Sequence, residues 1–129
     1  MVDLDTYLGI HSKALLVREQ RAAQLAANLS NIDTPNYKAK DIDFKSALEN
    51  AMGSSPAQMV TDHSAHINVS NHFSAQLKFR EPNQISLDGN TVDKDLETME
   101  FAKNALSYQA SLSFLGGKIK SMIMAFRGE

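Results

Sequence analysis

His63, His66 and His72 have the spacing of a possible metal site, since two histidines three residues apart can share one helix face. They lie in a Ser- and Asn-rich stretch with no helical pattern and no cysteine nearby. Ligand spacing without a rigid scaffold or supporting partners is read as a solvated loop, and no metal ligand is assigned. The acidic pairs Asp41/Asp43 and Asp93/Asp95 could in principle share acid–base work. Their places at predicted helix starts make them N-caps and partners of the helix dipole instead. Neither a nucleophile elbow nor a Gly-rich phosphate loop occurs. No catalytic or cofactor-binding residue and no cofactor is assigned, and the chain is not expected to be an enzyme.

The composition excludes further classes. With 129 residues, one domain with a real core is expected. Thirteen basic and fifteen acidic residues give a net charge of −2, with no basic block to attract nucleic acid. Cysteine is absent, which removes disulfides and thiol chemistry. The start, Met1-Val-Asp-Leu-Asp5, lacks the basic and apolar regions of a cleaved signal. The apolar run Met122 to Phe126 is far too short to span a bilayer. Residence in the cytoplasm, or export without a cleaved signal, is therefore expected.

Periodicity is strongest at the two ends. Leu8, Leu15, Ala22 and Leu29 recur every seven residues, with Leu4, His11, Arg18, Leu25 and Ile32 as the companion row. The predicted helix from about Asp5 to Asn31 is roughly 40 Å long, and Gly9 is its weak link. It ends at Pro35, which disfavours helical geometry in Thr34. A short helix is predicted from Asp43 to Met52, with Phe44 and Leu48 on its apolar face. Residues 53–90 lose the pattern, except for alternation at 75–80 and 85–87 that suggests a small hairpin. The last helix, from Asp93 to about Phe126, carries Phe101, Ala105, Tyr108, Leu112, Leu115, Ile119, Met122 and Phe126 in 4-3 spacing.

The predicted fold class is thus mainly α. Two long terminal helices pair as a coiled coil, and an irregular middle arm holds a short helix and a small β-hairpin. The expected divisions are 1–37 for the first helix and its turn, 38–91 for the arm, and 92–129 for the last helix. Leu15, Leu25 and Leu29 are expected to face the Phe101-to-Phe126 stripe. Gly116-Gly117 inside the helix, and an end that is apolar all round from Met122 to Phe126, call for cover from further subunits. The candidate assembly residues are Leu8, Leu15, Leu25, Leu29, Phe101, Tyr108, Leu112, Leu115, Ile119, Met122 and Phe126.

The segment Ala27-Asn28-Leu-Ser-Asn31-Ile-Asp-Thr34-Pro35-Asn36-Tyr37-Lys-Ala39 resembles the signature that follows the first helix of bacterial flagellar rod and hook proteins. Where that family usually has Gly between Pro and Tyr, this chain has Asn36, the non-glycine residue best suited to positive φ. Lys40-Asp41-Ile42-Asp43-Phe44, Ser86-to-Asp93 and Asn104-to-Ala110 are similar to the proximal rod protein B subgroup. The resemblance covers essentially the whole chain outside residues 53–76. It implies a non-enzymatic rod subunit of the flagellar basal body, exported through the flagellar type III apparatus and polymerising helically. Copies of itself, other rod proteins, and membrane-ring and adaptor proteins at the rod base are the implied partners, and the periplasmic rod is the implied location. It also implies an export-gate motif at Phe44 and Leu48, which equally suits the apolar face of the short helix. The alternative from another class is a cytoplasmic helical-hairpin adaptor or export chaperone.

Overall fold

The computed structural model describes residues 4–53, 75–82 and 86–128. His63, His66 and His72, and Ile85 of the expected hairpin, lie outside the described residues. The elements run α1 (Leu4–Ser30), β1 (Lys40–Ile42), α2 (Phe44–Gly53), β2 (Leu77–Phe79) and α3 (Lys94–Arg127). The long terminal helices pack on each other, and the sheet has two strands, as the fold class requires. Their direction is antiparallel: Asn28 bonds Glu97, Asn104 bonds the Arg18 carbonyl, and the His11 and Phe114 rings lie 6.1 Å apart.

Each helix end has a local cause. Asp93 caps α3 by accepting from the N–H groups of Asp95 and Leu96, and Gly128, at φ 75°, closes its far end. Asp95 and Glu97 sit in the positive first turn. In α2, Asp43 accepts from the Ser46 N–H at 3.3 Å. Gly9 interrupts α1 with φ 40° and ψ −118°, so the weak link is an actual kink.

Two expectations need correction. The strand at 77–79 pairs with Lys40–Ile42 rather than with the segment just after it, while Ser86–Gly89 forms a turn. Pairing across the whole of α2 brings Arg80 beside α1 and α3, which a local hairpin would not do. The second correction concerns the faces in contact. The residues that α3 buries are Glu97, Asn104 and Ser111, spaced seven apart, not the Phe101-to-Phe126 stripe. Tyr108, Leu115 and Met122 are half-buried, whereas Phe101, Leu112, Ile119 and Phe126 are exposed. On α1 the buried line is Ala14, Val17, Leu25 and Asn28, with Leu8, Leu15 and Leu29 half-buried beside it.

The physical reason is that α1 serves three neighbours, α2, β1 and α3, and its polar residues find partners among them. Val17, Ile42, Ala47 and Ala75 form a small apolar core, with Phe44 packed against it. That core sits under α2 and the strands. The seam between the long helices is largely polar.

Candidate assembly site

The turn after α1 is held from a distance. Asn36 has φ 60°, the left-handed value that its place between Pro35 and Tyr37 demands. Its N–H donates to the Asp88 carbonyl, and the Thr91 N–H donates to the Tyr37 carbonyl. The Asn90 amide donates to the carbonyls of Asn31, Ile32 and Thr34 at 3.0, 2.7 and 2.9 Å. These lie at the frayed end of α1, where carbonyls lack helical partners. A buried Asn90 thus closes the first helix while leading into the last one. Thr34 and Pro35 are exposed, and the Thr34 hydroxyl donates to Asn31 Oδ1 at 3.1 Å.

Two variants probe this clasp. Asn36→Gly should change stability by less than about 0.5 kcal/mol, while Asn36→Val should lower it by about 1–2 kcal/mol, since a β-branched residue resists positive φ. Gly89, at φ 75°, faces Asn36 so closely that an added Cβ would stand 2.5 Å from Asn36 Oδ1. Gly89→Ala should therefore cost about 1–2 kcal/mol, most of it from the backbone. Thermal unfolding followed by circular dichroism measures both.

Beneath the turn lies a polar network that joins α1, both strands and α3. Asn28 is fully buried, and its amide donates to the Lys40 carbonyl at 2.8 Å and to Glu97 at 3.1 Å. Its Oδ1 accepts from Gln24, the Tyr37 hydroxyl and the Lys40 N–H. Tyr37 therefore packs inward through its hydroxyl. Arg21 grips Asp41 with two parallel bonds at 2.9 and 2.8 Å and reaches Glu100 at 2.7 Å. Arg80, from the end of β2, bridges Asp41 and Glu97. Bidentate guanidinium pairs of this kind fix geometry as well as energy.

The electrostatics follow the packing. Burial pushes the Asp41 carboxyl up, but hydrogen bonds from Arg21 and Arg80 outweigh it and hold the group below its usual range. Burial dominates at Glu97 and raises its carboxyl despite Asn28 and Arg80. The hydrogen bond to Asp41 keeps Arg21 charged. Asp41 is thus an ion-pair centre rather than a helix cap. Asp43, by contrast, is held at about 2, first by Lys78 and then by Ser46.

The candidate export residues lie elsewhere. Phe44 is half-buried beneath the Arg18 guanidinium, 4.2 Å from its ring centre, and Leu48 is half-buried on the same helix. On the outer side of the α1–α3 seam, Arg18, Ala22, Phe101, Asn104, Ala105 and Leu112 help line a groove of about 460 Å³. Asn104 is 2 % exposed, and its Oδ1 has no hydrogen-bond partner among the described residues; neither has Arg18 Nε. Below the groove, Ile119, Ile123 and Phe126 stay exposed, Phe126 at 86 %. No group of His, Asp and Glu among the described residues could hold a metal ion, and no described helix is long and apolar enough to cross a membrane.

The arrangement offers apolar surface on a rigidly registered helix pair. The comparisons with known proteins agree in one direction. The chain is 45% identical over 127 residues to the flagellar basal body rod protein FlgB of Escherichia coli strain K12, covering 93% of this chain and 92% of that protein. The chain belongs to the FlgB family of flagellar basal body rod proteins. It is also 40% identical over 129 residues to FlgB of Aeromonas hydrophila, covering 99% of this chain and 98% of the relative. FlgB of Cereibacter sphaeroides is 41% identical over 129 residues, with 95% and 94% covered. No protein-family model matches the chain. FlgB membership does not favour the adaptor or chaperone reading.

Sequence reasoning found Asn28, Asn31, Asn36 and Tyr37 as a turn motif but missed the charged network. Arg21, Arg80, Glu97 and Glu100 carried no spacing signal, because their partners are far away in the chain. One hint existed: Arg18 and His11 interrupt the α1 seam, which signals that polar groups belong inside it.

Proposed function

We propose that this chain is a non-enzymatic subunit of the proximal rod that assembles through its terminal helices. Its role as a structural subunit of the flagellar basal-body rod follows from the family. The observation that carries the assembly reading is the exposed apolar surface of α3. Phe101, Leu112, Ile119 and Phe126 together form a strip that a lone soluble chain has no reason to expose. Leu25 is buried, and Leu8, Leu15, Leu29, Tyr108, Leu115 and Met122 are half-buried, beside the polar contacts that hold the two helices in register.

The divisions 1–37, 38–91 and 92–129 suit this role, the outer two making one assembling unit and the middle one its brace. Other rod proteins are the neighbours along the axis, with membrane-ring and adaptor proteins at the base. The chain reaches the periplasmic rod through the type III apparatus. Phe44 and Leu48 serve as the gate motif before folding, since Phe44 is half-covered by Arg18 once folded.

The test is a deletion strain complemented with the tagged chain. Basal bodies isolated from it should contain the tag, and swimming should return. A tag confined to the cytosol of cells with normal rods would overturn the reading in favour of an adaptor.

A further inference from the structure

A helix with 3.6 residues per turn advances about 100° per residue, which sorts the side chains of α3 into faces. Glu97, Asn104 and Ser111 form the face turned to α1. Phe101, Ala105, Leu112 and Ile119 form a second, about 70° away by that geometry, which lines the groove and continues below it. Met99, Leu106, Ala110, Gly117 and Met124 form a third, about 140° from the second. All five of the third face are exposed, Leu106 at 73 %. Two apolar faces on nearly opposite sides of one helix cannot be covered by one partner in one contact.

We infer that the third face of α3 in one copy seats in the α1–α3 groove of the next copy. The occupant is thus a second copy of this chain, joined head to tail, and the proposal rests on the assembly reading above.

Several observations favour this occupant. At Gly117 an added Cβ would meet nothing within 4 Å among the described residues, so the glycine answers no packing need there. It lets an approaching backbone come close. The groove offers Ala22 and Ala105 as small residues opposite it. The bonds at Asn28–Glu97 and the His11–Phe114 contact set a register that puts Glu19 level with about residue 106. With Gly117 seated at Ala105, the incoming Lys120 lies about 4.5 Å further along the axis. Glu19 lines the groove, and neither it nor Lys120 has an ion pair among the described residues. The charges are complementary across the contact.

The contact has a definite consequence for assembly. A helix lying about 20 Å along a groove covers only a few hundred Å² per copy, short of the roughly 800 Å² per partner of a stable pair. An isolated dimer is therefore weak. A copy that uses both groove and third face is held twice. Because the two surfaces differ, the contact is heterologous and propagates from copy to copy, as a ring or an open helical array, rather than closing as a two-fold dimer.

The absence of cysteine gives a clean cross-linking test. Gly117→Cys and Ala105→Cys are both at exposed positions, and facing Cα atoms there fall within disulfide reach. Purified protein carrying both should form a ladder of cross-linked oligomers on mild oxidation at rising concentration. Each single variant should stay monomeric, and a mixture of the two singles should give one heterodimer band. Glu19→Lys or Lys120→Glu added to the double variant should reduce the ladder at least fivefold, and the two reversals together should restore it. Circular dichroism confirms that each variant is folded, and Gly117→Cys with Ala22→Cys supplies a second pair.

No ladder from either pair, or single-variant homodimers as abundant as the heterodimer, would overturn the proposal. So would a double charge reversal that restores nothing. If the ladder is absent while Phe126→Asp still abolishes the rod, the groove assignment fails and assembly through the terminal helices stands. If Phe126→Asp builds a normal rod, the assembly reading itself fails.

Discussion

A chain carrying Phe126→Asp should fold and be secreted, but build no rod and leave the cell non-motile. Phe126 stands on the exposed end of α3, so a charge there meets water in the single chain. The folded monomer should change by no more than about 0.5 kcal/mol. In an assembled array the same carboxylate would be buried against apolar neighbours without a partner. That costs several kcal/mol per contact, enough to stop polymerisation at cellular concentrations. Phe126 is a better probe than Leu115 or Met122, which are half-buried and would also disturb the α1 pairing. Circular dichroism of the purified variant, immunoblots of the culture medium and electron microscopy of envelopes separate folding, export and assembly. Secreted variant protein together with normal rods would remove Phe126 from the assembly surface.

The second large effect belongs to the fold. Asp41→Ala should destabilise the protein by about 3 kcal/mol, because it removes the carboxylate shared by Arg21 and Arg80. The value is at the low end for a buried pair, since Glu100 and Glu97 still hold one arginine each. Asp41→Asn should cost nearly as much, as its amide would point a donor at a guanidinium. Urea denaturation would show a lower midpoint with little change in slope.

The pH dependence supplies an independent check. Asp41 is held below its usual range, so the native state binds fewer protons there than the unfolded chain. Its contribution is fully present above the ordinary carboxylate range and is lost as pH falls through the lowered folded value. Glu97 has the opposite sign. Its contribution is present below its unfolded value and shrinks as pH rises through the raised folded one. Asp41→Ala should flatten the acid limb of the stability profile. Glu97→Gln should flatten the opposing term and cost less at neutral pH. Equal acid limbs for wild type and Asp41→Ala would count against Asp41 as the ion-pair centre.

The two variants differ because the apolar strip and the charged seam do different jobs. The seam fixes which way the helices face, since Asn28 on Glu97, Arg21 on Glu100 and Asn104 on the Arg18 carbonyl together admit one register, whereas leucines tolerate several. The strip is left outward because the inward face is already filled. A polar inner seam is thus what leaves the apolar residues of α3 facing outward.

The sequence by itself determined the helices, their ends and the turn. Apolar periodicity, Asp93 as a cap and Pro35 as a stop act within a few residues, and such local effects survive without tertiary context. Asn36 was legible for the same reason: positive φ is a property of one residue and its immediate neighbours. What only the tertiary structure decided is the use of each face. Heptad spacing shows that Phe101 to Phe126 form a strip, but not whether α1 or another copy covers it. The deciding contacts, Asn28 with Glu97, Arg80 with Asp41 and Asn90 with the end of α1, join residues dozens of positions apart. A polar residue is stable in a core only when its partner arrives there too, and one-dimensional spacing does not record that arrival.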